Sequence, residues 1–229
     1  MRCAGFTPCN LQRTACNLRH TVIVERRRLH TAPQRAACYA ACSDLLASPH
    51  DLDPRQLLAS RRGCLAGLPW GVELETSAAA LAAARLEELR AGFSALFEVG
   101  DQGPPVPIRE SLRPARAAGA REEVVRFYEF FGYAPGERFA WQPDHLSIEL
   151  EFLHVLCVQE ANAVDDGGAR PFELAQIDFA SRHPAAWLPA FAADAARQAP
   201  GSPYAAAAAA VAGFVAADLE WQGATLGAR

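Results

Sequence analysis

The sequence predicts an all-α fold, and three observations lead to this prediction. Prolines and N-cap residues recur where helices start, and glycines stand where helices end. Between these positions, apolar residues repeat with the 3.6-residue period of an amphipathic helix. No stretch alternates polar and apolar residues as a half-buried strand does.

In the first half of the chain, Pro33 suits a first helical turn, and a helix is predicted over residues 33–47. A short helix is predicted over 54–60, followed by a loop over 61–74 that is rich in glycine and proline. Thr76 or Ser77 is then predicted to cap a helix that reaches residue 97. Its apolar stripe consists of Leu81, Leu86, Leu89, Phe93, Leu96 and Phe97.

In the second half, residues 100–107 contain too many prolines and glycines to form regular structure. A helix that ends at Gly132 follows, because glycine best adopts a left-handed cap. The predicted helices cover residues 121–131, 143–163, 171–182, 184–197 and 203–221.

Charge and hydropathy bound the function classes. Residues 1–30 contain six arginines and one glutamate, a charge of +5, so the remaining 16 arginines and 25 acids give −9. An acidic body attracts basic partners and disfavours nucleic acid. The longest apolar run, Ala205–Ala217, falls short of the roughly 18 to 20 strongly apolar residues of a membrane span. With no secretory signal pattern, we expect a cytoplasmic protein.

Two parts are predicted along the chain: a basic extension over residues 1–30 and a helical domain over 31–229. The extension has no sustained periodicity, so we expect it to be disordered, or to reflect a translation start assigned too early. Cys3, Cys9 and Cys16 lie six and seven residues apart, a spacing that does not match a zinc site. The helical cysteines are expected to pack as small hydrophobes in a reducing compartment; they are Cys38, Cys42 and Cys157.

The most informative segment is Gln142–His154, QPDHLSIELEFLH. Pro143 predicts a helix start there, and Asp144 favours the positive end of the helix dipole. His145 and Glu149 are four residues apart, so they share a face and could form a hydrogen bond. Apolar residues cover most of the remaining circumference, which predicts a helix in the middle of a bundle.

Two catalytic interpretations of this segment lack the residues they need. Glu151 and His154 form the Glu-x-x-His pair of di-iron bundles, but the chain has no second copy. Asp144 and His145 could act as a general-base pair, yet no nucleophile motif accompanies them. Phosphate-binding glycine loops are also missing. We therefore predict no catalytic residues, no metal site and no cofactor of the chain's own.

Aromatic residues cluster upstream of the same segment, and most are expected in the core. A solvent-accessible subset beside Asp144 and Glu110 would suit a peptide that is apolar and carries arginine. The cluster consists of Phe127, Tyr128, Phe130, Phe131, Tyr133, Phe139 and Trp141.

Residues 127–133, FYEFFGY, and then QPDHLSIELEFLH resemble the TorD/DmsD/NarJ superfamily of redox-enzyme maturation chaperones, whose central helix carries this Pro-Asp-His and Glu-Leu-Glu-Phe block. The run FEVGDQGPPVP at 97–107, followed by Glu110, is most similar to the branch that serves type II DMSO reductase family enzymes. The similarity covers about residues 33–222.

The resemblance implies a TorD-like domain of about ten helices that is not an enzyme. Its partner would be the apo catalytic subunit of a molybdopterin oxidoreductase and its twin-arginine signal peptide; the client, not the chaperone, carries the molybdopterin guanine dinucleotide. The chain would be a monomer or a domain-swapped dimer. Partner contact is assigned to Trp141, Pro143, Asp144, His145, Tyr128, Tyr133 and Glu110, and a structural role to Glu149, Glu151, Phe152 and His154. A general peptide-binding or scaffold domain and a helical-bundle metalloenzyme stay as alternatives.

Overall fold

A computed structural model describes residues 31–226 except 62, 64, 66–70, 115, 117–118 and 138–140. These residues form nine α-helices and no extended strand. The predicted extension over 1–30, with its three cysteines, and Phe139 lie outside the described residues. The helices are α1 Thr31–Leu45, α2 Pro54–Arg61, α3 Val72–Ala83, α4 Leu86–Phe93, α5 Ala120–Phe130, α6 Leu146–Asn162, α7 Asp166–Arg182, α8 Pro184–Gln198 and α9 Pro203–Leu226.

Helix α6 lies at the centre of the bundle, as its apolar circumference predicts. It packs most extensively along α1 and also contacts α7. Phe152 is fully buried, with its ring centre 4.8 Å from those of Tyr128 and Phe179. This aromatic contact joins α5, α6 and α7 into one core. The three helical cysteines are buried there too, as expected.

The predicted helix over 76–97 is wrong in its start and in its continuity. Helix α3 begins at Val72, and the Thr76 hydroxyl donates to the Val72 carbonyl within the helix rather than capping it. The backbone becomes extended at Ala84 and Arg85, which separates α3 from α4. Alanine and arginine are good helix formers, so tertiary packing overrides local preference at this break.

Two other helix starts differ from the prediction by three residues or more. Helix α6 begins at Leu146 rather than Pro143, because His145 serves as its N-cap. Helix α7 begins at Asp166 rather than Pro171, because the Asp165 carboxylate accepts from the Gly168 N–H at 2.8 Å. The predicted stop at Gly132 is confirmed, since its φ of +65° is left-handed.

Helix α9 is 24 residues long, and its 18-residue window of mean hydropathy 1.2 meets the length and composition of a membrane span. The expectation that no segment reaches this threshold is therefore not met. Half of that window is buried inside the protein, against α8 above all. Its buried face also includes Asp218 and Gln222. A core helix of a soluble bundle has these properties as well.

Candidate functional site

The Pro143-Asp144-His145 turn ties the segment before α5 to the start of α6. The Asp144 carboxylate accepts from the Ser111 N–H at 2.9 Å and faces Arg109 Nη2 at 3.3 Å. Backbone bonds run from the Glu110 N–H to the Asp144 carbonyl and from the Leu146 N–H to the Ile108 carbonyl. The turn thus holds residues 108–111 against the N-terminus of α6.

Asp144 is fully buried and ionised in this position. Burial alone raises its pKa, but hydrogen bonds from Ser111 and the Arg109 charge outweigh that effect and leave the pKa below its ordinary value. A buried carboxylate with paired donors holds a segment in place. Its side chain is not at the surface, so the predicted contact of Asp144 with a partner has no exposed atom to use in this conformation.

His145 caps α6. Its Nδ1 accepts from the Ser147 N–H at 3.2 Å and lies 2.8 Å from the Ser147 hydroxyl. Burial lowers the pKa of His145 to about 4, with Arg109 adding to the effect and Asp144 opposing it. The ring is therefore neutral at pH 7 and can accept. The predicted His145–Glu149 hydrogen bond is wrong, because the cap turns the ring toward Ser147.

Next to this turn lies a mostly buried set of ionisable side chains that we call the Glu110 cluster: Glu110, Arg116, Asp144, Glu149 and His183. The Glu110 carboxylate accepts from Arg116 Nε at 2.6 Å and lies 2.9 Å from His183 Nδ1. Glu110, Asp144, Glu149 and His183 are all fully buried. Glu110 and Arg116, the start of α6 and the residue that follows α7 therefore meet through ionisable side chains.

Glu149 is the unusual member of the cluster. Neither of its carboxylate oxygens meets a hydrogen-bond donor among the described residues. Burial, and then the neighbouring Glu110 carboxylate, raise its pKa well above the ordinary value. A protonated Glu149 can donate to Glu110. The two arginines, Arg109 and Arg116, then face the two carboxylates of Asp144 and Glu110. The geometry therefore favours a neutral Glu149.

Among the described members of the aromatic cluster, those with a large exposed surface are Phe130 and Trp141. Tyr128 is buried and donates to the Pro143 carbonyl at 2.9 Å, Pro143 is itself buried, and Tyr133 is half-buried. Of the residues assigned to partner contact, Trp141 is the one with a large exposed surface, at 62%. Partner contact stays a prediction for all seven, and only Trp141 offers a large surface for it.

The residues assigned to structure lie on α6 and make contacts within the chain. His154 Nδ1 lies 2.8 Å from the Ala36 carbonyl of α1. Glu151 lies beside Tyr133, and burial together with that carboxylate raises the pKa of the phenol. Among the described residues, no three His, Cys, Asp or Glu side chains are grouped to hold a metal ion.

A second buried polar set, which the sequence analysis missed, surrounds Arg35 of α1. The Arg35 guanidinium donates to Asp218 Oδ1 at 2.6 Å and to Glu160 Oε2 at 3.0 Å. Asp218 also accepts from Tyr39 and Gln222, at 2.7 and 2.6 Å. One signal was available: Arg35 and Tyr39 are four residues apart on the same face as two buried cysteines. We call this set the Arg35 cluster: Arg35, Tyr39, Glu160, Gln176, Asp218 and Gln222.

Comparison with known proteins matches residues 68–193, more than half of the chain, to the family described as "Nitrate reductase delta subunit". The chain is 47% identical over 108 residues to the selenate reductase assembly chaperone protein of Thauera selenatis. It is 45% identical over 108 residues to the chlorate reductase assembly chaperone protein of Ideonella dechloratans. Each match covers 46% of this chain and 56% of the relative, so the chain spans little more than half of these relatives' length.

A more distant relative is the perchlorate reductase assembly chaperone protein of Dechloromonas aromatica, 30% identical over 106 residues, with 45% of this chain and 47% of that protein covered. Among solved structures, a candidate redox enzyme maturation protein from Archaeoglobus fulgidus matches with a TM-score of 0.51 and 20% identity. That match covers 79% of this chain and 93% of the other. At this identity it supports the helical fold alone.

Proposed function

The chain belongs to the nitrate reductase delta subunit family, which includes the NarJ/TorD-type proteins, and from that premise we propose that it is an assembly chaperone for a reductase. The observation that carries the proposal is its 47% and 45% identity to assembly chaperones of selenate and chlorate reductases. Those relatives are chaperones and not catalysts. The function is therefore one of binding, in which the chain makes and breaks no covalent bond.

The proposed client is the apo catalytic subunit of a molybdopterin-dependent enzyme of the DMSO reductase family. The chaperone holds that subunit with its cofactor cleft open until molybdopterin guanine dinucleotide is inserted. Linkage supplies the physical logic: a protein that binds only the unfinished form stabilises that form. It loses its hold when the finished form no longer fits. Binding energy is then the only energy the process requires from the chaperone.

The proposal extends to the client's twin-arginine signal peptide, bound in the cytoplasm before export. A charge of −9 outside residues 1–30 supports attraction of a basic segment. The exposed indole of Trp141 supports an apolar contact, since aromatic side chains dominate binding energy at interfaces. The chain would act as a monomer or as a domain-swapped dimer that opens at the proline-rich segment 103–107.

The test is recovery of the client from the native host. The tagged chain is expressed under anaerobic respiratory growth and purified, and its partners are identified by mass spectrometry. The expected partner is a molybdopterin-enzyme catalytic subunit that retains its N-terminal signal and lacks molybdenum. Trp141→Ala should recover less of it, whereas Val72→Ala, which replaces an equally exposed residue on α3, should not change recovery. Recovery of no redox subunit, together with metal in the purified chain itself, would overturn the proposal.

A further inference from the structure

A groove lined by residues of α5 and α7 lies at the surface of the protein. It has a volume of about 570 Å³. Phe130 is 81% exposed beside it and Leu174 is 48% exposed. The rest of its apolar lining consists of Phe127, Phe131, Pro171 and Ala175. Large apolar side chains exposed together are typical of a contact surface for another molecule.

The groove is also lined by two arginines of the chain itself, Arg126 and Arg182, and by two acids, Glu123 and Asp178. The Arg182 side chain lies over the Phe127 ring, with Cζ 4.8 Å from the ring centre. It pairs with Asp178 of α7 at 2.9 Å and with Glu123 of α5. One ring face and two carboxylates on opposite walls thus converge on one position. This arrangement is a recognition site for arginine, because guanidinium combines stacking on an aromatic ring with bonds to carboxylates.

The pairs that hold Arg182 are exposed, with 46% of the Arg182 side chain, 36% of Glu123 and 56% of Asp178 accessible to solvent. Exposed ion pairs contribute little free energy, so an arginine from another molecule can replace Arg182 at small cost. Covering the adjacent Phe130 and Leu174 contributes more to the free energy of binding, because each side chain leaves water when an apolar side chain of the partner packs on it.

We propose that this groove is a docking surface for a partner segment in which an arginine is followed by apolar side chains, and that Arg182 is the intramolecular occupant that the partner's arginine displaces. The incoming guanidinium takes the position over Phe127 between Glu123 and Asp178. The apolar residues after it cover Phe130 and Leu174. The inference rests on the proposed function, since the partner is the reductase subunit.

The probe is a fluorescein-labelled synthetic peptide with two arginines followed by eight alternating leucines and alanines, and the matched probe has glutamine in place of both arginines. Anisotropy titration of the full chain measures their dissociation constants. Phe130→Glu and Leu174→Glu should each weaken binding of both probes by roughly tenfold, the loss expected for one apolar contact. Val72→Glu, which adds the same charge on α3 outside the groove, should not change either constant.

The displacement is tested at Arg182. Arg182→Gln should tighten binding of the arginine probe by about threefold and leave the glutamine probe unchanged, because the site over Phe127 becomes vacant. Asp178→Asn should weaken only the arginine probe. Equal binding of the two probes, or weaker binding of the arginine probe to Arg182→Gln, would overturn the guanidinium site. Phe130 and Leu174 are exposed, so unchanged melting temperatures should accompany their substitution.

Two further outcomes separate this inference from the proposed function. If the tagged Phe130→Glu chain recovers the reductase subunit as well as the parent chain does, the groove is not the docking surface and the chaperone proposal stands. If neither chain recovers a redox subunit, the proposed function fails. If Phe130→Glu instead abolishes a dimer seen by light scattering and leaves peptide binding unchanged, the groove's occupant is a second copy of the chain and the inference is wrong.

Discussion

The Arg35 cluster and the Glu110 cluster are both mostly buried sets of polar and ionisable side chains, but they differ in how completely their polar atoms are paired. In the Arg35 cluster, Asp218 accepts three hydrogen bonds and Glu160 accepts two. In the Glu110 cluster, the Glu149 oxygens meet no donor among the described residues, so Glu149 can bond only by donating to Glu110 when it is protonated. His183 Nε2 has no hydrogen-bond partner among the same residues. A fully paired set stabilises one arrangement, whereas unpaired buried groups cost free energy and favour opening.

The positions of the two clusters in the fold match this difference. The Arg35 cluster connects α1, α6, α7 and α9, which are long helices packed on one another. The Glu110 cluster holds a loop segment, residues 108–112, against helix ends. We infer that the first cluster fixes the bundle and that the second is the part of the domain that opens at lower free energy.

The largest effect is expected from Arg35→Ala. The substitution leaves Asp218 and Glu160 buried without their guanidinium, which should lower the free energy of unfolding by about 3–5 kcal/mol. Urea denaturation monitored by circular dichroism measures the change. Arg55→Ala, which removes a half-buried arginine paired with Asp53 at the protein surface, should leave the urea midpoint nearly unchanged. A midpoint equal in both variants would mean that the Arg35 cluster does not hold the bundle together.

Asp144→Ala should have the next largest effect. It removes the acceptor of the Ser111 N–H and the partner of Arg109, so we expect a loss of about 2–3 kcal/mol in the free energy of unfolding. Hydrogen exchange of the Ser111 amide should accelerate more than exchange in α1. Asp101→Ala, at an exposed position, serves as the control. Uniform acceleration across the chain would contradict a locally opening segment.

Glu149→Gln should make the protein more stable than the parent chain as the pH rises. The raised pKa of Glu149 means that it is protonated in the folded state and ionised in the unfolded state between its ordinary pKa and its folded pKa. In that window the parent chain loses stability with increasing pH, by on the order of 1 kcal/mol per pH unit at most. Glutamine keeps a donor to Glu110 and has no charge to bury.

Urea midpoints of both chains between pH 5 and pH 8 test this prediction. The difference in favour of Glu149→Gln should grow with pH across the range. Parallel curves would mean that Glu149 is ionised in the folded protein and that the cluster is paired in some other way.

The smallest effect is expected from His145→Ala, which removes the N-cap of α6 and should cost about 1 kcal/mol. His145→Asn should retain the cap. Because the folded pKa of His145, about 4, is below its unfolded value, the parent chain loses stability as the pH falls from 6.5 to 4. In thermal melts, the melting temperature of the asparagine variant should rise relative to that of the parent chain as the pH falls through this window. A difference in melting temperature that does not change with pH would contradict a buried neutral ring.

Local signals predicted the elements whose physics is local. Gly132 ends α5 because a φ of +65° suits glycine, and Pro54 starts α2 because its ring presets the helical φ. The apolar circumference of residues 146–157 predicted a central helix, which is where α6 lies. The Pro-Asp-His block indicated the family, which the match over residues 68–193 confirms.

Tertiary structure alone decided which charges meet. Arg35 and Asp218 are 183 residues apart, and Glu110 and His183 are 73 apart, so no pattern in a short window pairs them. Tertiary contacts also explain why a local prediction was wrong. Backbone pairing of residues 108–111 with residues 144–146 places the start of α6 at Leu146 and makes His145 its N-cap. Helix type and many ends follow from the amino acids themselves, because backbone preference acts within one turn. Burial, ionisation state and the choice of partner follow from the assembled bundle, because desolvation and Coulomb energy depend on residues that only the fold brings together.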